Sequence, residues 1–152
     1  MKLAEALILR ADYQKRIEQL KQRLVRNAKV QEGDDPAENP GELVAEYEQI
    51  AQQLVTLIQQ INKTNANTLL EGQLTIADAI AVRDGLRQKH GLYTDLAQAA
   101  TITQERYSRS EVKFQSTLNV AQMQRQADDI ARQYRELDTK LQAANWVTEM
   151  LP

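Results

Sequence analysis

The chain contains no cysteine. That excludes a disulfide framework, a thiolate nucleophile and cysteine-held zinc, and it fits a reducing compartment. Aromatic residues make up only 5% of the 152 residues, with one Phe and one Trp. Sandwiches and barrels draw on more β-branched and aromatic residues than this. Long apolar runs are missing too, since Leu3-Ala4-Glu5-Ala6-Leu7-Ile8-Leu9 carries Glu5 inside it and ends at Arg10. Such a run is too short and too charged for a membrane span or a signal core. A cytoplasmic location and no membrane partner are expected. Histidine occurs once, at His90, with Arg87 three residues before it. A di-metal carboxylate centre needs Glu-x-x-His on facing helices, so it is excluded.

What the chain does have is helix-forming composition. Ala and Gln occur 19 times each, beside many Glu, Leu, Lys and Arg, all residues that lose little on entering a helix. Two stretches keep a 3-4 spacing of apolar residues. The first is Leu43, Tyr47, Ile50, Leu54, Leu57 and Ile61; the second runs Val120, Met123, Ala127, Ile130, Tyr134, Leu137, Leu141, Ala144. An average of 3.5 residues keeps one stripe facing a partner helix over several turns, as in a coiled coil. The fold class expected is all-α, with four long helices in an antiparallel bundle and one domain over 1–152.

Capping and turn residues set the element boundaries. Helix 1 is expected over about 3–28, with Leu3, Ala6, Leu7, Tyr13, Ile17, Leu20 and Leu24 inward. Arg10 and Gln14 fall on the same stripe, as a polar layer or as side chains snorkelling at its edge. The loop Gln31–Pro40 holds Asp35-Pro36 and Asn39-Pro40, each with Glu three residues after the cap; helix 2 is placed from Asn39 over about 40–61. Residues 62–68, rich in Asn and Thr, are expected to end it. Thr75 with Asp78 caps helix 3, over about 76–103, with a possible break near Gly91. Asn119 with Gln122 caps helix 4, over about 120–146. Residues 68–74 and 111–115 are expected to pair as a two-stranded ribbon at one end of the bundle.

Charge is unevenly spread. Residues 1–30 carry eight basic and three acidic groups, while residues 31–62 carry seven acidic groups and no Lys or Arg. The two blocks nearly cancel and are adjacent, so they are expected to face each other and not a nucleic acid. The acidic loop lacks the alternation of oxygen ligands that calcium requires. Glu46 with Glu48, and Asp128 with Asp129, do not share a helix face and make no magnesium platform. The five glycines are scattered and form no phosphate loop, and Ser108, Ser110 and Ser116 would all need the one histidine as base. No metal, cofactor or catalytic residue is expected, and the chain is read as a non-enzyme.

Polar residues remain at positions where bundles usually place apolar ones. They are Asn62, Asn65, Arg83, Asp84, Arg109, Glu111, Arg135, Asp138, Asn145 and Trp146. One reading gathers them at one end of the bundle as a pocket whose arginines bind a small anion. The other makes them caps, ion pairs and an inter-subunit network, with Arg135 and Asp138 pairing along one helix and Trp146 pinning the last turn.

Some of these residues also carry a resemblance. The matching stretches are Val30-Gln31-Glu32-Gly33 through Pro40, Leu57-Ile58 through Asn65, Arg83-Asp84, Ser110-Glu111-Val112-Lys113, and Arg135-Glu136-Leu137-Asp138 through Thr148. In them the chain resembles a family of small bacterial proteins that bears the label septicolysin, departing from it at Lys63 and Met150. The resemblance implies a helical fold and supplies no catalytic residue or cofactor; its label implies a cytolytic toxin. A pore-former needs membrane-spanning hairpins or strongly amphipathic membrane helices, and the chain shows neither. The function expected first is therefore self-association, as a dimer or higher oligomer, and protein–protein interaction. An enzyme or anion binder comes second.

Overall fold

The computed structural model describes residues 1–102 and 112–152. The chain is mainly all-α, with four long helices and one small antiparallel two-stranded sheet. The elements are α1 (Leu3–Arg26), α2 (Pro40–Asn67), β1 (Leu69–Glu71), β2 (Leu74–Thr75), α3 (Ile76–Ala100) and α4 (Val120–Val147). Three of the expected caps are in place. Asn39 Oδ1 accepts from Gly41 N at 2.9 Å, Thr75 Oγ1 from Asp78 N at 3.1 Å, and Asn119 Oδ1 from Gln122 N at 3.0 Å. Each satisfies an N–H that has no partner inside its helix. None of the described helices is long and apolar enough to cross a membrane.

The chain divides into two units. Unit 1 comprises Met1–Leu69 with Gln142–Pro152, and unit 2 comprises Leu70–Leu141. In unit 1, α1 and α2 form an antiparallel hairpin. Leu20, Leu43 and Ile50 make its buried cluster, with Tyr13, Ile17, Leu24 and Tyr47 packed around them. The basic helix does face the acidic one: Arg16 reaches Glu46 at 2.9 Å, and Arg23 Nε reaches Glu38 Oε2 at 3.1 Å. The Arg23 guanidinium, by hydrogen bonding, holds the Glu38 carboxyl below its ordinary value. Gln14 is exposed and Arg10 half-buried, which places them at the edge of the α1 stripe.

Helix α2 does not stop at Ile61. Thr64 and Asn67 bond back to the helix: Thr64 Oγ1 donates to Gln60 O at 2.8 Å, and Asn67 Nδ2 to Lys63 O at 2.7 Å. Residues that can break a helix extend it when their side chains take this option. Thr64 also continues the seam after Ile61, and it is completely buried. Its hydroxyl accepts from Leu151 N at 3.0 Å, so the C-terminal segment of unit 1 lies against the end of α2. The same segment pairs with the start of α1, where Leu3 N donates to Thr148 O and Lys2 bridges to Glu149.

The expected ribbon is corrected. Residues 69–71 pair with 74–75 as a local hairpin, and 112–115 lie in no strand. Gly72, at φ +57°, and Gln73 form the two-residue turn. Glycine at the first central position matches the right-handed twist of the flanking strands, so local closure wins over a distant partner. Helix α3 runs unbroken through Gly91 and ends at Ala100, where Thr101 Oγ1 donates to Ala97 O at 2.7 Å.

In unit 2, α3 and α4 run antiparallel, since Arg83 meets Asp138 and, one turn on, Arg87 meets Tyr134. Its buried residues are Ile76, Ala79, Ala97, Ala127, Ile130 and Leu141.

Candidate functional site

Arg83 sits on the inner stripe of α3, four residues from Ala79, and its side chain is 21% exposed. Nη1 donates to Asp138 Oδ1 of α4 at 2.9 Å, and Nε lies 3.6 Å from Asp84 Oδ1, an ion-pair distance. A partly desolvated guanidinium between two carboxylates is neutralised where it stands. One turn along, Arg87 Nη2 donates to the Tyr134 hydroxyl at 2.6 Å and its guanidinium carbon stands 5.4 Å from the ring centroid. The Tyr134 hydrogen bond raises the Arg87 pKa above its ordinary value. Lys140 of α4 reaches Glu71 of β1 at 2.6 Å. These contacts form a polar ladder between α3, α4 and the hairpin. Its chemistry fixes register, and it leaves one donor over: the buried Arg83 Nε has no hydrogen-bond acceptor among the described residues.

The other candidates do not assemble around it. Arg135 is exposed on α4, and Thr139 Oγ1 donates to its carbonyl at 2.8 Å. Asp138 turns its carboxylate to Arg83 across the helix pair. Arg109 and Glu111 lie outside the described residues. In unit 1, Asn62 is exposed, and Asn65 is half-buried with an Oδ1 that accepts no hydrogen bond among the described residues. Asn145 is half-buried, and Trp146 is 59% exposed, so it does not pin the last turn of α4.

Two contacts were missed. Thr64 was legible, because Leu57, Ile61 and Thr64 continue the 3-4 seam. Arg87 with Tyr134 was not, because only the register of α3 against α4 brings them together.

A groove of about 380 Å³ between α3 and α4 is lined by His90, Thr94, Gln98 and Thr101 on one side and Gln124 and Asp128 on the other. One imidazole and one carboxylate among amides and hydroxyls make no nucleophile–base–orienter chain. Among the described residues no three His, Asp or Glu cluster so as to hold a metal ion.

Comparison with known proteins corrects the septicolysin reading. Residues 10–150 match the family of unknown function DUF6847, and nothing in that match bears the toxin label. A solved structure, described as that of a functionally unknown conserved protein from Corynebacterium diphtheriae, is similar to the chain at 46% identity. It superposes with a TM-score of 0.94 over 99% of each chain. No curated protein matches. The chain belongs to the family of unknown function DUF6847.

Proposed function

We propose that this chain is a non-enzymatic, cytoplasmic helical module that associates with itself, most simply as a two-fold dimer, and acts through protein–protein contact. Exposed surface carries the reading. The chain leaves 11484 Å² open to solvent. Even two wholly separate compact bodies of half its mass would expose only about 9,400 Å² between them. Apolar side chains are among those exposed. Val44 and Val55, in a second row beside the α2 seam, are exposed, and Ala51 and Ile58 of the same row are half-buried. Apolar rows of this kind mark interfaces. The lack of cysteine fits a reducing compartment.

An anion-binding or catalytic role would need Arg83, Arg109 and Arg135 to converge with donors to spare. Arg83 gives Nη1 to Asp138 and pairs with Asp84, which counts against that role, while its buried Nε, with no hydrogen-bond acceptor among the described residues, counts for it. Light scattering at micromolar concentration tests the proposal. A mass above 17.3 kDa that rises with concentration is expected. A mass fixed at the monomer value at every concentration would sink it.

A further inference from the structure

With no cysteine in the chain, three thioethers are its only sulfur groups, at Met1, Met123 and Met150. Met1 is 59% exposed, Met123 is half-buried on α4, and Met150 is half-buried in the segment 148–152 of unit 1. Among the described residues only the Met150 sulfur makes a hydrogen-bond contact: Sδ stands 3.7 Å from Thr64 Oγ1. Thr64 is completely buried, so the thioether is part of what covers it. The hydroxyl is otherwise engaged. Its proton goes to Gln60 O at 2.8 Å, and its oxygen accepts from Leu151 N at 3.0 Å. Elsewhere the segment is held by main chain and by surface groups. Met150 N donates to Met1 O and Leu3 N to Thr148 O, each at 2.9 Å, while Lys2 Nζ pairs with the exposed Glu149 at 2.6 Å. An exposed pair of that kind holds weakly.

A thioether suits this place. It is apolar, flexible and a weak acceptor, so it asks for no proton that the hydroxyl has already given away. Adding one oxygen reverses that. A sulfoxide is polar and chiral, and a polar group without a partner is costly to keep out of water. We propose that Met150 is a reversible oxidation site for a peroxide, and that its sulfoxide releases residues 148–152 from the end of α2. The sulfur gives an electron pair to one oxygen of hydrogen peroxide. The S–O bond forms as the O–O bond breaks, and the second oxygen leaves as water with both protons. Two thiols reverse the step: the sulfoxide oxygen leaves as water, and the thiols close to a disulfide. A half-buried residue is within reach of an oxidant this small. Gln60 O already holds the Thr64 proton, so the sulfoxide turns outward to water and lifts the segment off Thr64.

Graded doses of hydrogen peroxide on the full chain test this, with sulfoxides mapped by mass spectrometry and amide exchange followed at 148–151. A Met150 sulfoxide should appear. Exchange at Leu151 should quicken tenfold or more in step with it, while the α1–α2 core stays protected. Methionine sulfoxide reductases for both epimers, supplied with a thiol, should restore the slow rate. Met150→Leu keeps the apolar volume and takes no oxygen. After the same treatment its segment should stay slow, although Met1 and Met123 remain open to oxidation. A Met150 still unoxidised at the dose that converts Met1 completely overturns the site. A Met150 sulfoxide with unchanged Leu151 exchange, or the same quickening in Met150→Leu, overturns the release. A Leu151 amide that exchanges freely before any oxidant is added overturns it too, because the segment would then have no latch to lose.

Discussion

Among the described residues, unit 1 buries six Leu and Ile (Leu3, Leu20, Leu43, Ile50, Leu57 and Ile61) with two alanines (Ala4 and Ala6), whereas three of the six buried apolar residues in unit 2 are alanines, at 79, 97 and 127. The larger apolar residues of unit 2 (Leu86, Tyr93, Leu96, Met123 and Leu137) stay half-buried. Yet α2 and α4 carry seams of the same spacing. The difference is in what each seam meets. The α2 seam meets branched and aromatic residues of α1, with residues 148–151 closing over its end. In unit 2 the buried alanines withdraw little apolar area from water, and burial energy scales with that area. A 3-4 seam therefore announces a helix face that wants covering. It does not say whether its own chain covers it.

The contrast is open to a direct challenge by truncation. Leu20→Ala should cost about 2–5 kcal/mol, because a well-packed branched side chain leaves a cavity behind. Leu86→Ala, at a half-buried position, should cost clearly less in dilute solution, with the gap narrowing as concentration rises and the exposed face finds a partner. Thermal melts of both variants across a concentration series measure this. Equal losses at the lowest concentration would show that unit 2 is as well filled as unit 1.

How far the sequence could be read follows from the same physics. Caps are local, so Asn39, Thr75 and Asn119 located their helices from neighbouring residues alone. Periodicity is nearly as local, and the seams of α2 and α4 turned inward as their spacing implied. The charge blocks foretold that α1 and α2 face each other because they flank one short loop. Choices between competing partners were not legible. Residues 62–67 could break the helix or bond back to it, and the buried site for Thr64 decided. Residues 68–74 could pair far away or with themselves, and Gly72 decided. The polar candidates failed as a set for a related reason. A sequence shows which residues are polar, while which carboxylate meets Arg83 depends on the register of two helices, and its partner lies 55 residues away in the chain.

Closure of unit 1 by its C-terminal segment gives a second, smaller test. Thr64→Val keeps the shape and the apolar fit but removes the oxygen that accepts from Leu151 N. A partly buried N–H left without an acceptor costs about 1–3 kcal/mol. Amide exchange at 148–151 should speed up while the α1–α2 core stays protected. Unchanged exchange there would mean that apolar contact alone holds the segment, and that unit 1 is closed less specifically than its hydrogen bonds suggest.

Acid should separate the two units more gently still. In unit 1, Arg23 holds the Glu38 carboxyl below its ordinary value of 4.5, and Lys2 does the same for Glu149. Both pairs join different elements. In unit 2 the carboxyl so lowered is Asp129, bonded to Arg132 and Gln133 within α4 itself. A folded-state pKa below the unfolded one means stabilisation that is present above 4.5 and lost as pH falls through the folded value. Acid should thus loosen these contacts of unit 1. The effect is small, since exposed pairs of this kind are weak and screened by salt. Comparing Glu38→Gln with the unaltered chain isolates it. The variant should melt earlier at neutral pH, and the offset should shrink as pH falls below the ordinary carboxyl value of 4.5 and the carboxylate it lacks becomes protonated. An offset that persists undiminished in acid would mean that Glu38 contributes through packing and not through its charge, and the contrast between the units would then rest on side-chain size alone.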